Sequence, residues 1–284
     1  MNARKLSLHN PEPGLTILRL AALSAESDAV LDAESKALML QQVNAGALAS
    51  IATHDVWPEL QPGLMAQFPS NMLRNLLDCG ALHVLLPEVA ALFGVPQIAN
   101  DPEQVDIGCH VLRVLDESAR CDAPLSVRFA ALVMNIGKSD SPPQHLPVHY
   151  CHIERGRERI ERICERFELP QDCRDLALLA LAECERVHRA SEVRAGPVAA
   201  MLDRLGAFTD MARFERLLLL CTCDYRAYPG YEGRSYPKSA LLHRALAACK
   251  DIDAEELDED ALMEARALAI ATAFKSERWS ENLS

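Results

Sequence analysis

Apolar residues recur along this chain at steps of three and four, the period of a helix with one buried face, and nowhere in a sustained alternation of two. The pattern predicts helices over 15–25 and 31–43, one opening at Trp57-Pro58 towards Leu64, and one from Pro69 that stops at Gly80. A short helix is expected between Pro87 and the Gly94-Val95-Pro96 turn. Longer amphipathic segments follow over 103–119, 125–136, 153–167, 172–188, 197–205 and 211–224, the last with Thr209-Asp210 as its cap. An aromatic, Gly/Pro-rich loop, 225–237, precedes helices near 239–249 and 259–275. The first thirteen residues are polar and carry two prolines, which reads as an irregular lead-in. With no internal repeat and no heptad run, the expected fold class is all-α, without a sheet.

Composition agrees: 49% of the 284 residues are apolar, and aromatics supply only 5%. That length allows one large or two modest domains. No apolar run is long enough to span a bilayer, and no basic-then-apolar leader opens the chain, so the expectation is a soluble, cytoplasmic protein with no membrane partner. The ten cysteines form no CxxC pair, Cys221 and Cys223 being the closest, and read as reduced, buried thiols. Net charge is −12, yet the run 251–260 holds seven acids without a base, leaving −5 elsewhere. Such a run is expected to be a solvated helix start or linker, and no basic tail marks a nucleic-acid partner.

Candidate chemistry gathers in 127–156, VRFAALVMNIGKSDSPPQHLPVHYCHIERG. An apolar helix runs into Gly137-Lys138, then a Pro-Pro turn and three histidines, His145, His149 and His152. This arrangement resembles the heart of an HD-type phosphohydrolase domain, in which a His-Asp metal-ligating pair ends the helix. Here the two positions are Asn135 and Ile136. Isoleucine has no lone pair, and an amide oxygen replaces imidazole poorly at a transition-metal site.

Further phrases resemble bacterial CCA-adding enzymes (tRNA nucleotidyltransferases) that carry a C-terminal HD domain. They are LRNLLDCGALHVLLPEVAALFGVPQ (73–97), HVLRVLD (110–116), VRFAALVMNIGK (127–138), LPVHYCHIERG (146–156), HRASEVR (188–194) and GYEGRSYP (230–237). The resemblance covers the family's helical neck, body and tail, and not its α/β catalytic head, where paired aspartates hold two magnesium ions. It implies a helical neck and body over 1–100, a degenerate HD-type domain over 101–250 and an acidic helical tail over 251–284. In the neck, Glu12 and Arg19 match a base-pairing template element, but Pro13 and Thr16 stand where its Asp and Arg would be. Neither residue offers charged, directional hydrogen bonds to a base edge.

By the same resemblance the HD metal ligands are His110, the positions of Asn135 and Ile136, His149, His152 and Asp224. The retained His110, His149, His152 and Asp224 are therefore vestigial ligands. No cofactor is expected; zinc, nickel, manganese or magnesium are the divalent metals the remnant would suit. Each residue also has an ordinary reading: His110 as a hydrogen-bonded core histidine, His149 or His152 as a cap for the following helix, Asp224 as a carboxylate paired with Arg226 or a histidine. Lys138 and Asp140 read as a remnant phosphate contact or a solvated loop, and His145 as exposed.

Arg155, Arg159, Arg162 and Arg166 form one stripe of a helix, with Glu154, Glu158, Glu161 and Glu165 beside it. The stripe is either a phosphate-facing rail, extended by Arg186, Arg189 and Arg194, or a surface laced by ion pairs. The expected role is a headless, CCA-adding-like protein that binds tRNA or another structured RNA, or a scaffold, without nucleotidyltransferase activity. The alternatives are a residual metal-dependent phosphohydrolase acting on a cyclic or terminal phosphate, and the accessory part of a split enzyme whose nucleotidyltransferase head is separately encoded.

Overall fold

Helices account for almost all of the regular structure in the computed structural model, which describes residues 12–28, 31–99, 103–190 and 194–278. Most of the polar lead-in, and residues 191–193 of the HRASEVR phrase, lie outside the described residues. Helix α1 (Pro13–Leu23) buries Ile17, Leu18, Ala21 and Ala22, and packs on α3 (Thr53–Met65) and α4 (Pro69–Asp78). Between them, α2 (Ala33–Asn44) starts where the Asp32 carboxylate accepts the Ser35 amide hydrogen at 2.8 Å.

Helix α3 begins a turn earlier than expected and carries Pro58 and Pro62 inside it. Each proline removes one intrahelical donor. Burial of Val56, Trp57, Leu60 and Leu64 offsets that loss, and Trp57 stands edge-on to Phe129 at 5.7 Å and stacks over Phe167 at 6.4 Å. Gly80, at φ 81°, ends α4 as predicted and leads into the short α5 (Ala81–Leu85) and α6 (Pro87–Ala90).

The expectation of no sheet is corrected in one place. Strands β1 (Pro96–Ile98) and β2 (Gln104–Asp106) pair antiparallel, Gln97 opposite Val105. The next helix, α7 (Ile107–Arg120), therefore starts later than 103, because the Asp106 carboxylate accepts from the Cys109 amide at 2.7 Å and caps the helix there. Two strands this short leave the class all-α.

The centre is α8 (Leu125–Val133), buried on nearly every side and surrounded by α3, α7, α10 (Gln171–His188) and α12 (Met211–Arg226). Its α-helical hydrogen bonding ends before the predicted 136, and two tighter turns, Ile136–Lys138 and Pro143–His145, carry the chain to α9 (His152–Arg166). At the far end, α11 (Ala195–Arg204), α13 (Pro237–Ala248) and α14 (Glu259–Arg278) pack on one another. The acidic run is exposed over 253–260, and within it Asp258 caps α14 through the Ala261 amide at 2.8 Å. One cluster of buried apolar side chains extends from Ile17 to Ile270. No helix among the described residues is long and apolar enough to cross a membrane.

Candidate functional site

Two glycines set the site. A Cβ on Gly137 would lie 1.9 Å from the His152 carbonyl oxygen and 2.7 Å from the Gly156 nitrogen, so α9 crosses the turn after α8 at backbone contact distance. That crossing brings the start of α9 over the ends of α10 and α12. The cavity between them measures about 430 Å³, and Asn135, Lys138, His149, His152, His188 and Asp224 are among its walls.

Asp224, near the end of α12, joins two histidines. His110 on α7, wholly buried, approaches its Oδ1 through Nε2 at 2.9 Å, and His188, the last residue of α10, approaches its Oδ2 at 3.0 Å. Burial alone would raise the Asp224 carboxyl, but the two histidines outweigh it and hold the group well below the usual carboxylate range. His188 feels the complementary balance. Burial opposes its charge, while the Asp224 carboxylate, paired with it at 3.0 Å, favours it, and its pKa is raised above the ordinary value. The other ring nitrogen of His188, Nδ1, lies 2.7 Å from the Tyr236 hydroxyl, and Cys184 Sγ lies 3.5 Å from Nε2 and 3.4 Å from Cys221 Sγ. The His110 ring rests against Tyr228 at 4.3 Å, and its buried Nδ1 has no partner.

The remaining predicted ligands are tied to protein atoms. His149 is held at both nitrogens, by the Ser141 hydroxyl at 2.7 Å and the Pro96 carbonyl at 3.0 Å; burial, then the Lys138 charge, lowers its pKa. His152 opens α9, with Nδ1 on the His149 carbonyl at 2.9 Å and Nε2 facing Glu185 at 3.5 Å. Asn135 lines the cavity, whereas Ile136 is fully buried in the core. Lys138 is also buried, against the expectation of a solvated loop: its ammonium donates to Glu185 at 2.9 Å and to Gln97 at 3.2 Å. Apolar packing on either side of the turn leaves that stem nowhere else to go.

A metal of the HD type does not fit this arrangement. Among the described residues, the group of three His, Cys or carboxylate donors lying within 4.8 Å of one another is Cys184, His188 and Cys221, and it contains none of the four predicted ligands. The sequence does not join these three, because Cys221 is on a different helix. The visible signal was Cys184 and His188 four residues apart on α10, one above the other on the same face. A Cys-His nucleophile is not formed either, since Cys221 and burial push the Cys184 thiol well above its ordinary value, away from thiolate.

The arginine stripe turns largely inward. Arg155 donates to the Gly137 carbonyl at 3.1 Å, and Arg159 donates to the Ile136 carbonyl at 2.9 Å while pairing with Asp140. Both satisfy carbonyls at the end of the α8 segment, where a cation is favoured. Arg166 grips Glu88 with two bonds, at 3.0 and 3.2 Å, and lies over the Phe167 ring. Arg162, Arg189 and Arg194 are exposed, the first two in loose pairs with Glu158 and Glu185. His145 is exposed, as expected. At the chain's start, Pro13 is the first residue of α1, and Arg19 is engaged by Glu59 through two bonds of 2.7 and 3.0 Å.

The chain is 41% identical over 247 residues, 87% of its own length and 60% of the relative's, to a protein of Dechloromonas aromatica (strain RCB) named Multifunctional CCA protein. Proteins of the same name from Cupriavidus necator and Chromobacterium violaceum are 41% and 42% identical over 86% of the chain. The chain spans about 60% of the length of these curated relatives. No family model matches it.

Proposed function

We propose that this homologue of the Multifunctional CCA proteins, matched to them over most of its length, is a helical RNA-binding module of the CCA-adding family that performs no hydrolysis at its HD-type pocket. Its substrate class is tRNA or another structured RNA, bound by shape and backbone through a neck and body over 1–100, a degenerate HD-type domain over 101–250 and an acidic tail over 251–284. The observation that carries the reading is the state of the pocket. The pair's positions hold Asn135 and buried Ile136, His149 has both nitrogens occupied by protein, and the ammonium of Lys138 sits against Glu185 at the cavity wall. A hydrolytic metal needs open lone pairs to lower the pKa of a water, and these residues do not offer a converging set.

Nucleotide addition falls to residues other than these. No described strand carries paired aspartates, and the template positions are Pro13 and Thr16. RNA contacts are assigned to the exposed Arg162, Arg189 and Arg194, because the inward-turned Arg155, Arg159 and Arg166 are engaged by protein groups. The test is a gel-shift titration with tRNA at two salt concentrations, beside phosphatase and cyclic-phosphodiesterase assays with nickel, manganese, magnesium or zinc. Binding that weakens with salt at a log–log slope of about −2 to −3, for about three phosphate contacts, with no metal-dependent turnover, is the expected result. Metal-dependent release of phosphate at the pocket would establish the hydrolase reading instead. Nucleotide addition only after mixing with a separately expressed nucleotidyltransferase head would make the chain the accessory part of a split enzyme. Salt-insensitive or absent tRNA binding would sink the RNA-binding role.

A further inference from the structure

We propose that Cys184, His188 and Cys221, three donors that the HD ligand set does not include, form a binding site for a thiophilic divalent transition ion of the zinc type. It is independent of whether the chain binds RNA.

Geometry comes first. An ion bound tetrahedrally with bonds of about 2.3 Å to sulfur and about 2.0 Å to imidazole nitrogen sets its donors roughly 3.8 Å apart for sulfur–sulfur and roughly 3.5 Å apart for sulfur–nitrogen. The observed separations are 3.4 Å between the two sulfurs and 3.5 Å from Cys184 Sγ to His188 Nε2. The third pair, Cys221 Sγ and His188 Nε2, lies within the same 4.8 Å that bounds all three donor atoms, so a rotation of the imidazole that closes it by up to about 1.3 Å admits the ion.

Orientation is the second observation. Metal-bound histidines are held at their other nitrogen by an outer partner. Here the Tyr236 hydroxyl, on a buried ring, stands 2.7 Å from Nδ1 and leaves Nε2 facing Asp224 Oδ2 at 3.0 Å and Cys184 Sγ at 3.5 Å. Two soft sulfurs and one imidazole select zinc-like ions over magnesium or calcium, which require oxygen ligands.

Access is the third. Cys184 and His188 lie on the wall of the 430 Å³ cavity, while Cys221 closes the site from behind at 0% exposure. The fourth coordination position faces the cavity, where Asp224 Oδ2, 3.0 Å from the same imidazole nitrogen, is the nearest oxygen donor. Binding forms two metal–thiolate bonds and one metal–imidazole bond, and releases two thiol protons and the proton on His188 Nε2 to solvent. No electron is transferred. The ion would tie α10 to α12 across a separation of 37 residues.

The test uses the full chain, reduced and stripped of metal, titrated with cobalt(II) and then with zinc. Wild type is expected to develop thiolate-to-cobalt charge-transfer absorption, bleached by one equivalent of zinc, and to melt at a higher temperature with zinc present. Cys184→Ser and Cys221→Ser each abolish the band, whereas Cys79→Ser, a buried cysteine elsewhere, keeps it. Tyr236→Phe weakens zinc by about 10–100-fold, the effect of losing an outer partner. If Cys221→Ser does not fold, Cys184→Ser and His188→Gln at the cavity wall decide the matter. A reduced wild type that shows no band and no zinc-dependent rise in melting temperature overturns the proposal. So does a band that survives both cavity-wall variants.

Discussion

Gly137 and Gly156 touch backbone to backbone where the turn after α8 passes under α9, close enough that a Cβ on Gly137 would sit 2.7 Å from the Gly156 nitrogen. That contact fixes the height of His149 and His152 over the cavity, and lets Arg155 and Arg159 reach the carbonyls of Gly137 and Ile136.

Gly137→Ala is expected to destabilise the protein by about 2 kcal/mol or more, since the methyl group meets main chain that cannot swing aside. Gly196→Ala, with nothing within 4 Å of the new Cβ, is expected to be neutral or to stabilise by about 0.4–1 kcal/mol. Urea denaturation of the two variants checks the contrast. Equal effects would show that the crossing is looser than described.

Arg159 and Arg162 belong to one stripe but answer differently to charge reversal. Arg162→Glu is expected to leave the melting temperature nearly unchanged, because its pair with Glu158 is exposed and worth about 0–1 kcal/mol. Arg159→Glu places a carboxylate against the Ile136 carbonyl and Asp140, and is expected to lower stability clearly. If tRNA binding fails in Arg159→Glu alone while its melting temperature holds, the inward orientation of that side chain is refuted.

Arg128 is buried inside the helical core, donating to the carbonyls of Ala123 at 2.9 Å, Leu64 at 3.1 Å and Ala66 at 2.7 Å. Arg128→Met removes those donors and is expected to cost about 2–4 kcal/mol through the unsatisfied carbonyls. Differential scanning calorimetry should record a melting temperature lower by roughly 5–10 °C. An unchanged value would mean water replaces the guanidinium at no cost.

His243 links α13 to α12 through Glu215 at 2.7 Å. Partial burial disfavours its charge, but the hydrogen bond to Glu215, the bond to the Ser239 carbonyl and the Glu215 charge together outweigh burial and raise its pKa above the ordinary 6.5. A raised histidine contributes stability that is fully present below its unfolded value and is lost as pH rises through the folded value. The stability gap between wild type and His243→Gln, about 0–1 kcal/mol for so exposed a pair, should therefore be largest below pH 6.5 and close at alkaline pH. A gap that widens with rising pH would contradict the pairing.

Restoring the pair through Asn135→His with Ile136→Asp is expected to raise the affinity for nickel, manganese or zinc. It should also lower stability in the absence of metal, because the new carboxylate would enter a position that is fully buried in the core. Isothermal titration and melting curves with and without metal read both effects. No gain in bound metal would show that the donors around the pair are too firmly held by Ser141, Pro96 and Glu185 to turn towards an ion.

The helices were legible in the sequence because their apolar period is local: Pro69 opening α4, Gly80 ending it and Asp210 starting α12 each act within a few residues. Residue identity alone also places Asn135 and Ile136 before Gly137-Lys138 and gives the order of the family-like phrases. The strand pair at 96–98 and 104–106 was not legible, since three residues give no period and β1 is held by a partner further along the chain. The inward turn of Arg155, Arg159 and Arg166 was hidden for a different reason. Helical spacing tells which side chains share a face, but only the crossing of α9 over the glycine turn decides what that face meets. The site joining Cys184, His188 and Cys221 depended on tertiary structure most of all. Two of its donors lie four residues apart, but the third is 37 residues from Cys184 on another helix, and only the packing of α10 on α12 brings the two sulfurs to 3.4 Å.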